Sequence, residues 1–132
     1  MSRFEQLKKL CQNTITPDHV VMAVLSKLKT SSIPKDPAII HKGFYHLKLN
    51  ENYKELTKDF FFNMSGLTPF SELLDEILFK LETASVLSTT NPSYEKYELN
   101  KLYLDDAFNR FDSKKQETII EMSKDFEDSL PK

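Results

Sequence analysis

The sequence predicts a mainly helical α+β fold in which a small sheet of two or three strands is followed by C-terminal helices. Apolar residues recur at helical spacing along most of the chain, and a β-favouring stretch, a tight turn and a partly alternating stretch follow one another over residues 86–99. Three dipeptides also place a capping side chain directly before a proline, which is typical of a helix start. These dipeptides are Thr16-Pro17, Asp36-Pro37 and Thr68-Pro69.

The first half of the chain is predicted to contain three helices. Residues 3–12 form a short amphipathic pattern, residues 17–29 a strongly apolar one, and residues 37–49 a third that follows a connector at 30–35. Gly43 lies on the apolar face of the third helix, where glycine costs about 1 kcal/mol relative to alanine. We therefore expect a close helix crossing at Gly43.

The strongest helical pattern covers residues 69–84, where one apolar face is predicted to be buried. Its members are Phe70, Leu73, Leu74, Ile77, Leu78, Leu81 and Ala84. The preceding residues 50–67 are the least regular, with a helical turn or two predicted at 51–58 and three adjacent phenylalanines at 60–62. Three adjacent rings cannot all face one way, so either protein covers both sides or one ring is offered to a partner.

The C-terminal part is predicted to form a strand pair and two helices. The strands flank a turn at residues 91–93, and the last helix begins at Ser113, which with Gln116 resembles a capping box. By length the chain is one domain, 1–132, with a core at 16–99 and flanking helices in 1–15 and 100–132.

Composition argues against several functional classes. The chain has 132 residues, a net charge of −2, two glycines and one cysteine, Cys11. So few glycines disfavour a phosphate-binding loop, and a lone cysteine cannot form an intramolecular disulfide. No apolar run reaches the ~18 residues of a membrane span, and no signal peptide is evident. We expect a cytoplasmic protein with no membrane contact, no cofactor and no small-molecule substrate.

No residue pattern predicts a catalytic or metal site. His41 and His46 are five residues apart on one predicted helix, whereas a helical metal pair needs a spacing of three or four. The carboxylates of residues 69–84 fall mainly on the solvent side of their helix, whereas acid–base work needs a carboxylate in a cavity. We therefore predict that the protein is not an enzyme.

The predicted helix–strand–turn–strand order resembles a known superfamily. The end of the predicted helix and the residues after it form a Leu-Glu-x-x-x-Val-Leu pattern, made of Leu81, Glu82, Val86 and Leu87. The strand pair ends at residues 97–99. This pattern is similar to the winged-helix superfamily, particularly its small bacterial regulators with an added C-terminal dimerisation helix. The resemblance implies a winged-helix core in which residues 69–84 form the DNA-reading helix and residues 86–99 form the wing.

Charge disfavours transfer of the DNA-binding role. The predicted outward side of residues 69–84 carries four acids and one base, Lys80, and a phosphate backbone repels such a surface. Our first hypothesis is a non-enzymatic protein-interaction module, a subunit or adaptor of a bacterial assembly, with Phe79, Tyr94 and Tyr97 as candidate contacts. The alternative is a winged-helix transcriptional regulator. Its candidate nucleic-acid contacts are Lys80, Lys96 and Lys101.

The terminal helices also predict self-association. Together they carry more apolar side chains than one small core is expected to cover, and exposed apolar surface of that extent marks an interface. We expect a twofold homodimer in which Phe126 is a candidate contact. The alternative is that these helices fold back as a lid over the core.

Overall fold

Residues 16–89 and 95–130 are described by a computed structural model of the chain. They form a mainly helical α+β structure with one three-stranded antiparallel sheet. In chain order its elements are α1 (Pro17–Ser26), β1 (Ser32–Pro34), α2 (Pro37–Leu49), a 3-10 turn (Glu51–Tyr53), α3 (Lys54–Thr57), α4 (Glu72–Thr83), β2 (Leu87–Ser88), β3 (Lys96–Leu99), α5 (Lys101–Phe108) and α6 (Ser113–Ser129). The helix predicted at residues 3–12 lies outside the described residues.

Two of the three predicted helix starts are confirmed. In α1, Pro17 occupies the first turn and the Thr16 backbone N–H donates to His19 Nδ1 at 3.1 Å. In α2, Asp36 accepts a hydrogen bond from the Ala38 N–H at 2.9 Å and Pro37 follows it. Both starts are determined locally, because the cap and the proline satisfy or remove the free N–H groups of the first turn.

The predicted start of α4 at Pro69 is wrong. The helix begins at Glu72, and the Ser71 hydroxyl accepts from the Leu74 N–H at 3.2 Å. Phe70 cannot join the helix because its backbone pairs with Asn63 in an antiparallel bridge, with N–H···O distances of 3.1 and 2.7 Å. Phe70 is consequently 40% exposed rather than part of the buried stripe.

The sheet contains a strand that the sequence did not predict. The connector at residues 30–35 includes β1, which pairs with β3 in the register Ser32↔Glu98 and Pro34↔Lys96, and β2 pairs on the other side of β3. The side chain of Ile33 in β1 is fully buried. At the outer edge of β1, the Thr30 hydroxyl accepts from the Ser32 N–H and donates to the Ser32 carbonyl. This edge therefore offers few free backbone groups for pairing with another strand.

The C-terminal helices complete the core. α5 packs on α1, α6 packs on α1 and α2, and residues from all these helices share one buried cluster. Phe126 of α6 is fully buried, with its ring centroid 5.0 Å from that of Phe44. A Cβ added at Gly43 would lie 2.5 Å from Phe126 Cε2, which confirms the predicted close crossing. The assignment of Phe126 to an exposed interface is wrong, because this side chain fills the core beside Gly43.

Candidate functional site

The exposed side of α4 is acidic, as the sequence predicts. Leu74, Ile77 and Leu78 face the core, so the opposite side of the helix meets solvent. The exposed residues of α4 are Glu72, Asp75, Glu76, Phe79, Lys80 and Thr83. Ser71, directly before α4, is buried because its side chain caps the helix.

Phe79 and Tyr97 line the same small cleft between α4 and the start of α2, with a volume of about 140 Å³. Phe79 is 69% exposed, whereas Tyr97 is 7% exposed. Glu82 accepts from Lys35 Nζ at 3.1 Å and from the Tyr97 hydroxyl at 3.4 Å. Burial and the nearby Glu82 raise the pKa of Tyr97 to about 12, so the phenol stays protonated and holds Glu82. Phe79 is therefore an available contact, and Tyr97 mainly supports the cleft.

A larger groove lies at the N-terminal end of α4, with a volume of about 460 Å³. We call it the phenylalanine groove. Its lining residues are Asp59, Phe61, Phe62, Asn63, Phe70, Glu72 and Leu73. Of the three adjacent phenylalanines, Phe60 is buried, Phe62 is half-buried and Phe61 is 77% exposed. Protein therefore does not cover both sides of this run, and the Phe61 ring is exposed to solvent.

His41 supports the groove from below. Its ring stacks on Phe70 with centroids 4.7 Å apart, and its Nδ1 accepts the Ser71 N–H at 3.0 Å. Its Nε2 is buried without a hydrogen-bond partner among the described residues and lies 4.0 Å from Asp75 Oδ1. Burial lowers the pKa of His41, partly offset by Asp75, so the imidazole is neutral with its proton on Nε2.

The three candidate nucleic-acid contacts lie in different surroundings. Lys101 Nζ donates to the carbonyls of Leu25, Ser26 and Leu28 at the end of α1. Lys80 Nζ is 4.0 Å from the Asp18 carboxylate, and Lys96 lines a separate groove beside the end of α6. Lys101 therefore caps the end of α1, and Lys80 approaches an acidic side chain. Tyr94 lies outside the described residues.

Within residues 16–89 and 95–130, no group of three or more His, Cys, Asp or Glu side chains is arranged to hold a metal ion. The helices of these two ranges also lack the combined length and apolar character needed to cross a bilayer. Comparisons with protein-family models, curated proteins and solved structures give no match for this chain. The structure shows a mainly helical α+β chain with an acidic helix face beside an aromatic groove.

The groove was only partly visible in the sequence. The run at residues 60–62 leaves open whether protein covers both sides or one ring is offered, and the helical period predicts that Phe70 lies on a buried face. The signal that Phe70 belongs with Phe61 is a non-local backbone pairing between Asn63 and Phe70, which no local pattern reports.

Proposed function

We propose that this chain is a non-enzymatic, winged-helix-like module that binds a protein partner through the exposed side of α4. The amphipathic α4 leads directly into the antiparallel strands β2 and β3, which is the order on which the resemblance rests. α4 takes the place of the DNA-reading helix in that resemblance. Its surface chemistry suits a protein better than a nucleic acid.

The observation that carries the proposal is a bare aromatic ring on an acidic helix. Phe79 is 69% exposed and has Asp75 and Glu76 one turn before it. Lys80, the one exposed base of α4, approaches Asp18. Phosphate binding draws its free energy from lysine and arginine that release counterions, and this face cannot supply them. Exposed aromatic side chains, by contrast, are typical anchors of protein interfaces.

A crosslinking experiment tests the proposal directly. A photo-reactive amino acid at position 79, in the full chain expressed in its source cells, is expected to give a discrete protein adduct. The matched control is the same amino acid at position 117, an exposed site on α6, which packs on α1 and α2. Equal labelling from both positions, or no adduct from position 79, contradicts the proposal.

A DNA-binding measurement tests the alternative function. We expect no binding of a random fluorescent duplex at about 0.15 M salt, because the acidic face of α4 is repelled by phosphate. Submicromolar binding at that ionic strength, lost when Lys80 is replaced by alanine, overturns the protein-interaction proposal and favours the transcriptional regulator.

A further inference from the structure

The phenylalanine groove is bordered by an apolar loop that is open to solvent. Phe61 and Phe70 are 77% and 40% exposed, and Met64 and Leu67, between them in the chain, are 56% and 106% exposed. These four residues lie within ten positions of one another and next to α4. An apolar patch of this kind on a small protein marks a binding surface.

The groove is held in shape by its own contacts. The backbone bridge between Asn63 and Phe70 closes the loop, and Asn63 Oδ1 accepts the Ser65 N–H at 2.8 Å. The Phe70 ring stacks on buried His41, and the Phe62 ring lies 5.5 Å from Tyr45. The Phe62 and Phe70 rings are therefore pre-positioned, which reduces the entropy cost of binding.

The charges around the groove select its partner. Asp59 and Glu72 line the groove, and Asp75 and Glu76 continue the acidic surface along α4. The Lys48 ammonium lies 5.0 Å from the centroid of the Phe61 ring and donates to the carbonyls of Thr57 and Phe60. Lys58 lines a different depression, beside Thr16, which Asp59 also borders. A cationic segment is thus complementary to the groove, and an anionic bilayer is repelled.

We infer that the phenylalanine groove binds a basic segment of a partner protein, with an apolar side chain between Phe61 and Phe70 and lysine or arginine beside Asp59 and Glu72. The inference rests on the proposed function in one respect, that the chain binds a protein. A second copy of the chain fits less well, because a twofold contact through the groove sets these acids against their own copies.

A peptide-display experiment on the immobilised full chain tests this inference. From a random library we expect enriched peptides that combine an aromatic or aliphatic anchor with flanking lysine or arginine. Phe61→Ala should lower the affinity for the tightest-binding labelled peptide at least about tenfold, because a central anchor pocket contributes much of the binding free energy. The matched control is Ile120→Ala, at a residue of α6 that is 51% exposed. It should leave the affinity unchanged, and equal melting temperatures show that both variants are folded.

A second pair of variants tests the charges. Glu72→Lys should lower the affinity for the peptide more than Glu72→Gln does. Both variants should reduce the salt dependence of binding. The control Glu117→Lys, at an exposed residue of α6, should have no effect on the affinity.

Several outcomes overturn the inference. They are the absence of enriched peptides, enriched peptides without basic residues, and affinity that is insensitive to Phe61→Ala. Binding of mixed phosphatidylcholine–phosphatidylserine vesicles, or a dimer, that is lost in Phe61→Ala also overturns it, since the occupant is then a bilayer or a second copy. If the groove fails these tests while position 79 still crosslinks to a protein, only the inference is wrong. If position 79 gives no adduct, the proposed function fails instead.

Discussion

His41 links the base of the phenylalanine groove to pH. Its Nδ1 accepts the N–H of Ser71, the cap of α4, so protonation there breaks that hydrogen bond and places a charge in a buried position. Burial lowers the pKa of His41 below the ordinary 6.5. The unfolded chain therefore takes up the proton first as pH falls, and stability is full above about pH 7 and declines below it.

We predict that His41→Gln reduces the loss of unfolding free energy between about pH 7 and pH 5. Glutamine keeps an acceptor for the Ser71 N–H but does not titrate. Urea denaturation across this range is the measurement, and His46→Gln, at an exposed residue of the same helix, is the control. Burial and Arg110 lower the pKa of His19 as well. The unfolding free energy of His41→Gln should therefore still fall with decreasing pH, but less steeply than that of the wild type. Identical pH slopes in wild type and His41→Gln contradict the prediction.

Gly43 is required by the contact between α2 and α6. An alanine Cβ would come within 2.5 Å of Phe126 Cε2, and Phe126 is fully buried. Overpacking costs about 1–3 kcal/mol, of which better helix propensity returns about 1. We predict a net loss of up to about 2 kcal/mol for Gly43→Ala by chemical denaturation. Gly66→Ala is the matched control, because its Cβ meets nothing closer than 3.9 Å. Equal effects at both glycines would show that the crossing is looser.

At the scale of the element, α6 belongs to the core. Ile119, Met122 and Phe126 have no exposed surface, whereas Ile120 on the same helix is 51% exposed. We predict that Phe126→Ala costs about 3–5 kcal/mol of unfolding free energy. Ile120→Ala should change it by about 0.5 kcal/mol or less. A charge at position 126 should unfold the monomer, and a folded Phe126→Asp protein by circular dichroism contradicts this placement.

Lys101 joins α5 to the end of α1. Its ammonium is 3.3, 3.1 and 2.6 Å from the carbonyl oxygens of Leu25, Ser26 and Leu28. Lys101→Met keeps the apolar stem and removes the donor, so we predict a loss of about 1.5 kcal/mol, the low end for charged hydrogen bonds because the site is partly exposed. Lys114→Met, at an exposed residue of α6, is the control for thermal unfolding. If the two variants melt alike, the cap contributes nothing.

At the scale of the whole molecule, the homodimer stays a prediction, and it has to use residues other than Phe126. In the described part of the C-terminal helices, large exposed apolar side chains are Leu102, Tyr103 and Ile120. We predict that Leu102→Asp weakens self-association without loss of helicity, because a buried unpaired carboxylate is costly at an interface. Sedimentation equilibrium is the measurement. A mass of 15.4 kDa at every micromolar concentration contradicts the dimer.

The sequence by itself determined the features that depend on neighbouring residues. Thr16-Pro17 and Asp36-Pro37 begin α1 and α2, and α2 ends at Leu49 as predicted. The last helix was predicted to start at Ser113, and it does, although Asp112 supplies the cap. The acidic outer side of α4 also follows from its 3.6-residue period. Capping and periodicity act within a few residues, so a local pattern is enough to predict them.

Only the tertiary structure decided which segments of the chain pack or pair with one another when they are far apart in sequence. β1 exists because residues 32–34 meet residues 96–98, and α4 starts late because Asn63 holds Phe70. The same applies to Phe126, whose apolar face was predicted correctly but whose partner, Gly43, lies on another helix. An amphipathic pattern predicts that one face of a helix is buried, but it does not predict which residues cover that face, because the hydrophobic effect is non-directional. Strand pairing and helix crossing depend on contacts between residues far apart in the chain, and these decide between a core and an interface.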